Sequence, residues 1–109
     1  DIAWYRPDGS PMEDADWDVG FARALGVLLN GRAMPDPDPQ GHPVVDDTFL
    51  ILFNAHHGAT RWALPEVPGA RGFSRVLDTR AERIGEPRPV RTPRLVVAPR
   101  SVVVLQVLR

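Results

Sequence analysis

Short apolar runs separated by turn-forming residues dominate this chain and predict β-strands. The run Thr48–Asn54 is almost continuously apolar and aromatic, which is typical of a strand covered on both faces. Arg61–Pro65 and Phe73–Asp78 instead alternate apolar with polar or small side chains, as half-buried strands do. The chain closes with Ser101–Leu108, an apolar strand in which Gln106 is the polar interruption.

The first residues predict a strand that ends in a reverse turn. Trp4-Tyr5-Arg6 begins with strand-forming aromatic residues, and Pro7-Asp8-Gly9 follows at once. Pro presets φ for the first central position of a turn, and Gly accepts the backbone conformation that other residues avoid. We therefore expect β-structure to start near the N-terminus and the chain to turn at residues 7–9.

The next segment allows two interpretations. Asp14 or Asp16 could cap a short helical turn that runs through Trp17 toward Ala24, because carboxylates accept hydrogen bonds from the first N–H groups of a helix. Phe21, Ala24, Leu25 and Leu28 also match helical spacing. However, Leu25–Leu29 with the Asn-Gly pair that follows it fits a strand closed by a hairpin turn equally well. We favour the strand.

The strands together predict the fold class. Val90 and Arg94–Val97 suggest one further pairing. About seven to eight short strands, with turn signals roughly every ten residues, predict an all-β fold, an antiparallel β-sandwich of Greek-key type. Two Pro-rich segments, residues 34–43 and 85–93, are expected to be extended surface connections, because Pro lacks the N–H donor that a helix or a central strand needs.

The near-neutral net charge, −1 at pH 7, argues against some classes of binding partner. It leaves no large excess of Lys and Arg for nucleic acid or for an anionic membrane surface. No apolar run approaches the ~20 residues of a membrane-spanning helix. Because the chain has no Cys, disulfides and thiolate metal sites are excluded as well. We therefore expect neither nucleic acid nor a membrane as a partner.

Two motifs raise the hypothesis of a metal site, and in both the interpretation without a metal is favoured. His56 and His57 are adjacent, so that on a strand they point to opposite faces, and only His42 remains as a further imidazole ligand. Asp14–Gly20 alternates carboxylates like a calcium loop, but its Gly falls one place late and Leu25 stands where a bidentate Glu belongs. We expect no metal and no other cofactor.

The acidic residues that raise the question of glycoside hydrolysis are Asp46, Asp47 and Glu66. That chemistry needs an acid and a base or nucleophile on either side of one bond. Adjacent Asp side chains diverge on a strand, so solvated loop charges are the better interpretation. The Ser residues lack a neighbouring His and Asp arrangement for acyl transfer. We expect no catalytic residue in this chain.

Large aromatic side chains are the remaining candidates for a binding site. Exposed rings can stack on sugar faces, which brings Trp4, Tyr5, Trp17 and Trp62 into consideration. Burial in the core or against a neighbouring domain is favoured for rings of this size. Trp4, with its neighbour Tyr5, is the candidate for a contact with a glycan or with another domain.

Several segments, in their order along the chain, resemble one family. Residues 45–57, Val-Asp-Asp-Thr-Phe-Leu-Ile-Leu-Phe-Asn-Ala-His-His, are the most specific of them. They and three further segments are similar to the C-terminal β domain of bacterial glycogen debranching enzymes, which are isoamylase-type glycoside hydrolases of the α-amylase superfamily. The further segments are residues 4–17 with Trp4-Tyr5-Arg6-Pro7-Asp8-Gly9, Met12 and Asp16-Trp17, residues 24–31, and residues 98–105.

The resemblance implies that residues 1–109 form one C-terminal β-sandwich domain of a larger, cytoplasmic enzyme. That enzyme would hydrolyse α-1,6-glucosidic branch points in glycogen and limit dextrins. The absence of an initiator Met leads to the same expectation of a longer protein. In the family, catalysis belongs to carboxylates on an upstream (β/α)8 barrel, so no catalytic residue carries over. The domain alone is expected to be inactive and to pack on its own barrel.

Two alternatives stay open at this point. A glucan-binding module would present an exposed aromatic platform and would bind α-glucan weakly. An independent β-sandwich interaction protein, unrelated to glycogen, would be encoded by a reading frame that begins close to Asp1.

Overall fold

The computed structural model describes residues 2–17, 23–31, 47–81, 87–91 and 93–109, and it confirms the all-β prediction. Within these residues one short helix accompanies eight strands. The elements are β1 (Ile2–Tyr5), α1 (Asp14–Trp17), β2 (Ala24–Leu29), β3 (Phe49–Asn54), β4 (Thr60–Ala63), β5 (Gly72–Asp78), β6 (Arg88–Val90), β7 (Arg94–Val97) and β8 (Ser101–Leu108).

Six of these strands form one antiparallel sheet in the order β1-β2-β3-β8-β5-β6, and β4 pairs with β7 in a second, smaller sheet. At the centre, β3 and β8 pair in register from Phe49 opposite Gln106 to Asn54 opposite Ser101. The two strands are rich in β-branched and aromatic residues, whose side chains pack well on a pleated surface. The small sheet covers one face of the large sheet, which gives the predicted antiparallel sandwich.

The core lies between the two sheets and is centred on Trp62. This side chain of β4 is fully buried, together with Leu50, Leu52 and Leu105 of the large sheet. Each buried Leu contributes about 1.5–3 kcal/mol relative to an exposed one. Gly26 makes room for the indole, because a Cβ at this position would lie 3.2 Å from ring carbons of Trp62. The expected burial of large aromatic residues is therefore confirmed for this ring.

A buried polar side chain, that of Asn54, fixes one end of the sandwich. Its Nδ2 donates to the backbone oxygens of Gly58 (3.0 Å), Val97 (3.1 Å) and Ala98 (3.1 Å). Its Oδ1 accepts a hydrogen bond of 3.0 Å from the backbone N–H of His56. One amide thereby connects the end of β3 with the turn that follows it and with the link between β7 and β8.

The turn after β1 has the predicted form. The N–H of Gly9 donates to the carbonyl of Arg6 at 2.9 Å, and the φ angle of Gly9 is +84°. Only Gly adopts this conformation without steric cost. The turn also lies close to β4, since a Cβ on Gly9 would be 2.8 Å from the carbonyl oxygen of Ala63.

Both interpretations of the following segment are partly right, because α1 is a single helical turn and β2 is a strand. The cap comes from Asp16, whose Oδ2 accepts a hydrogen bond of 2.7 Å from the N–H of Glu13. This is the half of a capping box in which the third helical residue reaches back to the residue before the helix. Residues 18–22, which the helical interpretation included, lie outside the described residues.

The prediction of a tight hairpin after β2 is wrong. β2 and β3 are antiparallel neighbours, but residues 30–48 connect them, so the Asn-Gly pair does not close a two-residue turn. The pair indicates only where the strand ends. Which strand follows is decided by pairing of the apolar residues of β2 with those of β3.

The prediction that β3 is covered on both faces is also wrong within the described residues. Leu50 and Leu52 point into the core and are fully buried, whereas Phe53, on the opposite face, is 38% exposed. A continuous apolar run shows only that both faces of the strand lack charged side chains. It does not show that the same domain covers both of them.

The Pro-rich segments are described in part. Residues 34–43 lie outside the described residues, but Arg88–Val90 forms β6 at the edge of the large sheet, with Pro89 opposite Ser74. An edge strand tolerates Pro because one of its sides needs no partner, so the exclusion of a central strand is confirmed. Val90 and Arg94–Val97 enter different sheets, since β6 pairs with β5 and β7 pairs with β4.

Candidate interaction surface

The face of the large sheet that points away from β4 and β7 is apolar, and we call it the outer face. Directly opposed residues of antiparallel strands share a face, so the strand registers define its rows. The central row crosses five strands, from β1 through β2, β3 and β8 to β5. It consists of Trp4, Val27, Ile51, Val104 and Leu77.

Two further rows flank the central one and extend the same character. Leu25, Phe53 and Val102 form the row on one side. On the other side the row contains Ile2, Leu29, Phe49, Gln106 and Ser74. None of the three rows contains a charged side chain. The outer face is therefore predominantly apolar, although Val27 and Ser74 on it are buried, at 7% and 8% exposure.

Exposure on the outer face is greatest toward its margins. The larger exposed side chains are Ile2 at 62%, Trp4 at 39%, Leu29 at 37%, Phe53 at 38% and Leu77 at 39%. Singly exposed apolar residues are common on protein surfaces, but a contiguous patch of this kind marks a site of interaction.

An exposed aromatic pair, Trp4 and Trp17, stands at the β1 end of the central row, and we call it the aromatic corner. The two rings meet edge to face, with centroids 5.1 Å apart and planes at 82°. Trp17 is 51% exposed on the single turn of α1. The guanidinium of Arg6 lies 3.7 Å from the carboxylate of Asp16, which attaches this helical turn to the end of β1.

The turn beside the aromatic corner is held by polar contacts. Arg6 Nε donates to the hydroxyl of Ser10 at 2.8 Å, and that hydroxyl donates to the carboxylate of Asp8. The backbone N–H of Ser10 donates to the same carboxylate at 2.9 Å. These hydrogen bonds from Ser10, aided by the positive charge of Arg6, lower the pKa of the Asp8 carboxyl.

The family of isoamylase C-terminal domains matches residues 1–106 of the chain. The chain belongs to this family. Over 79 residues it is also 44% identical to the proteins named glycogen operon protein GlgX homolog in Mycobacterium bovis and in Mycobacterium tuberculosis. The aligned part covers 72% of this chain and 11% of each relative, so the chain spans about a tenth of the length of the curated relatives it matches.

The two predicted contact residues of this isoamylase C-terminal domain lie on different faces of the sheet. Trp4 belongs to the outer face. Tyr5, opposite Gly26, points toward the core and is only partly exposed. Burial in the chain's own core therefore holds for Trp62 but not for Trp4 or Trp17.

The residues considered for metal binding and hydrolysis lie in turns and loops, in α1 or outside the described residues. His56 and His57 lie in the turn after β3, Asp47 and Glu66 are exposed, and Asp46 is outside the described residues. Among the described residues no three His, Asp or Glu side chains are grouped where they could hold a metal ion. Nor does any helix in this described part of the chain have the length and apolar character needed to cross a membrane.

Sequence reasoning did not locate the outer face, although its signal is present. In β2, β3 and β8 most residues of both alternations are apolar, so each strand has a second, mainly apolar side in addition to the one in the core. The outward residues of neighbouring strands can be joined into one surface only when the registers of the strands are known. Only the structure supplies these registers. The same limit applies to Trp17, whose contact with Trp4 joins residues on different elements.

Proposed function

We propose that this chain is the non-catalytic C-terminal domain of a cytoplasmic glycogen debranching enzyme. In that enzyme an upstream (β/α)8 barrel hydrolyses α-1,6-glucosidic branch points of glycogen and limit dextrins. The domain packs on the barrel and stabilises it.

The family match carries this proposal, since it extends over residues 1–106 and the relatives that share 44% identity are named for a glycogen operon. The solvent exposure of the candidate carboxylates supports a role outside catalysis. Two carboxyl groups that hydrolyse one glycosidic bond stand about 5–10 Å apart across a cleft. Asp47 precedes β3 and Glu66 follows β4, and both are exposed to solvent.

The experiment compares three purified proteins on a branched limit dextrin: the full-length enzyme, residues 1–109 alone, and the enzyme truncated before Asp1. We expect branch-point hydrolysis by the full-length enzyme and none by residues 1–109. The truncated enzyme should lose thermal stability. Hydrolysis by residues 1–109 alone would contradict the proposal, as would a full-length enzyme without activity on branch points.

A second candidate, a glucan-binding role, is favoured by one observation: the indole of Trp4 is 39% exposed and lies beside the more exposed Trp17. Edge-to-face rings leave a corner rather than a flat platform, and Tyr5 points to the core and adds no second stacking surface. An NMR titration of residues 1–109 with maltoheptaose tests this role. Saturable shifts of the indole N–H signals of Trp4 and Trp17 would support it, whereas unchanged signals at millimolar sugar would exclude it.

A further inference from the structure

We propose that the outer face, with the aromatic corner at its edge, is the surface through which this domain docks on the catalytic region that precedes it in the same protein. This inference rests on the proposed function, because it names the surface by which the domain would meet its barrel. The occupant is a protein surface of matching apolar character.

The size of the outer face agrees with an interface between two domains. Strands lie about 4.8 Å apart and residues about 3.4 Å apart along them, so five strands over the length of β3 cover on the order of 500 Å². An interdomain interface buries roughly 600–1,500 Å² in total, which is about 300–750 Å² on each side. The outer face is sufficient for one side of such an interface.

The composition of the face favours a protein partner over a sugar. The central row has aliphatic side chains at Val27, Ile51, Val104 and Leu77, and none of the three described rows contains a charged side chain. Sugar sites need polar groups that fix the orientation of the ligand. The cores of protein interfaces are instead poor in charge and rich in aromatic side chains, and Trp is enriched among the residues that contribute most to binding.

Chain length favours the preceding region over a second copy of the domain. The matched relatives are about nine times longer than the segment they share with this chain, since that segment is 11% of their length. A tethered region is present at an effective concentration in the millimolar range, which a second molecule rarely reaches. Ile2 is 62% exposed and lies at the start of the edge strand β1. A chain that continues before β1 would therefore leave the sheet next to the outer face.

Cysteine accessibility in the full-length enzyme tests the proposal, and residues 1–109 contribute no native Cys to the background. Phe53→Cys and Leu77→Cys probe the outer face. Val96→Cys is the matched control, because Val96 lies on β7 in the small sheet. The native side chains are all exposed in the domain itself, at 38%, 39% and 59%. Each variant is pulsed with a maleimide, and the labelled peptide is quantified by mass spectrometry.

We expect the two outer-face cysteines to react at least about tenfold more slowly than Val96→Cys in the native enzyme, because a residue inside an interface reacts only when the interface opens. In guanidinium the three rates should converge. Equal rates in the native enzyme would overturn the proposal. Protection that fades on dilution to a monomer would assign the face to a second copy, and protection only with added maltoheptaose would assign it to glucan; both also overturn it.

Hydrolysis of branch points by the same variants separates the two proposals. Activity together with accessible outer-face cysteines overturns the docking surface and leaves the proposed function intact. Protected cysteines in an enzyme without that activity support an interdomain interface and overturn the debranching function.

Discussion

The amide of Asn54 connects the turn after β3 with the backbone of residues 97 and 98, which lie 43 and 44 residues further along the chain. The amide has two N–H groups and faces three carbonyl oxygens, those of Gly58, Val97 and Ala98. One N–H is therefore shared between two acceptors. These acceptors lie where β3, the turn after it and the end of β7 meet. A side chain that is 98% buried and fully engaged in this way acts as a structural crosslink.

Replacing this amide by a carboxylate of the same shape should be strongly destabilising. At neutral pH, Asn54→Asp places a buried negative charge against three carbonyl oxygens and removes both donors. We expect a loss of about 3–5 kcal/mol in the free energy of unfolding, the cost of a buried charge without a partner. Urea denaturation measures it. Near pH 4 the protonated carboxyl regains one donor, so the loss should become smaller; a loss that is independent of pH would contradict this explanation.

A second prediction concerns Asp8, whose pKa is lowered in the folded protein by hydrogen bonds from Ser10 and by the charge of Arg6. A lowered pKa stabilises the folded state above the unfolded pKa of about 3.9, and the contribution is lost as the pH falls through the folded value. Asp8→Asn should therefore reduce the melting temperature at pH 6 and have less effect at pH 2.5.

The source of the lowered pKa can be checked in the same protein. In Ser10→Ala the hydroxyl donor is removed, so the pKa of Asp8 should rise, which an NMR titration of its carboxyl carbon measures. An unchanged pKa in this variant would mean that the Ser10 hydroxyl is not the main cause.

Among the elements, the turn between β7 and β8, which joins the two sheets, depends on one residue in a left-handed conformation. Arg100 has a φ of +50°, and its N–H donates to the carbonyl of His56 at 3.1 Å. This conformation costs roughly 1–2 kcal/mol for most residues, and Asn tolerates it better than a β-branched residue does. The hydrogen bond places this turn against the turn after β3, next to the network of Asn54.

Substitutions at this position should follow backbone preference rather than charge. We expect Arg100→Val to lower the free energy of unfolding by about 1–2 kcal/mol relative to Arg100→Asn, although both remove the guanidinium. Denaturant midpoints of the two variants provide the comparison. Equal stability would show that the backbone between β7 and β8 relaxes to another turn type.

Pairing between elements explains several differences between prediction and structure. The alternation in Phe73–Asp78 predicted β5, and Pro89 correctly excluded a central strand, because both signals are local. The partners of β6 and β7 were not predictable, since their register depends on contacts between residues far apart in sequence. The same reason accounts for the failure of the hairpin prediction after β2.

At the scale of the whole molecule, the sandwich has one sheet with two apolar faces. The smaller sheet covers the inner one, with Trp62 at its centre, and the described residues leave much of the outer one accessible. An accessible apolar surface of this extent favours association. The domain should therefore behave differently alone and in the proposed full-length enzyme.

Residues 1–109 alone should self-associate through the outer face as concentration rises. Sedimentation velocity should show a monomer at micromolar concentration and larger species near millimolar concentration. Leu77→Glu should abolish this association because it places a charge in the central row, whereas Val96→Glu on the small sheet should leave it unchanged. A wild-type chain that stays monomeric throughout, or equal effects of the two variants, would contradict the prediction.

The sequence by itself determined the strands, the all-β class and the family, because these depend on local periodicity, turn residues and the order of short motifs. Burial of individual rings was different: Trp4, Trp17 and Trp62 are equivalent by composition, yet only Trp62 lies between the two sheets. Tertiary structure also decided that Asn54 is a crosslink and that outward residues of five strands form one surface. Register and sheet order bring these residues together, and both depend on packing between segments that are distant along the chain.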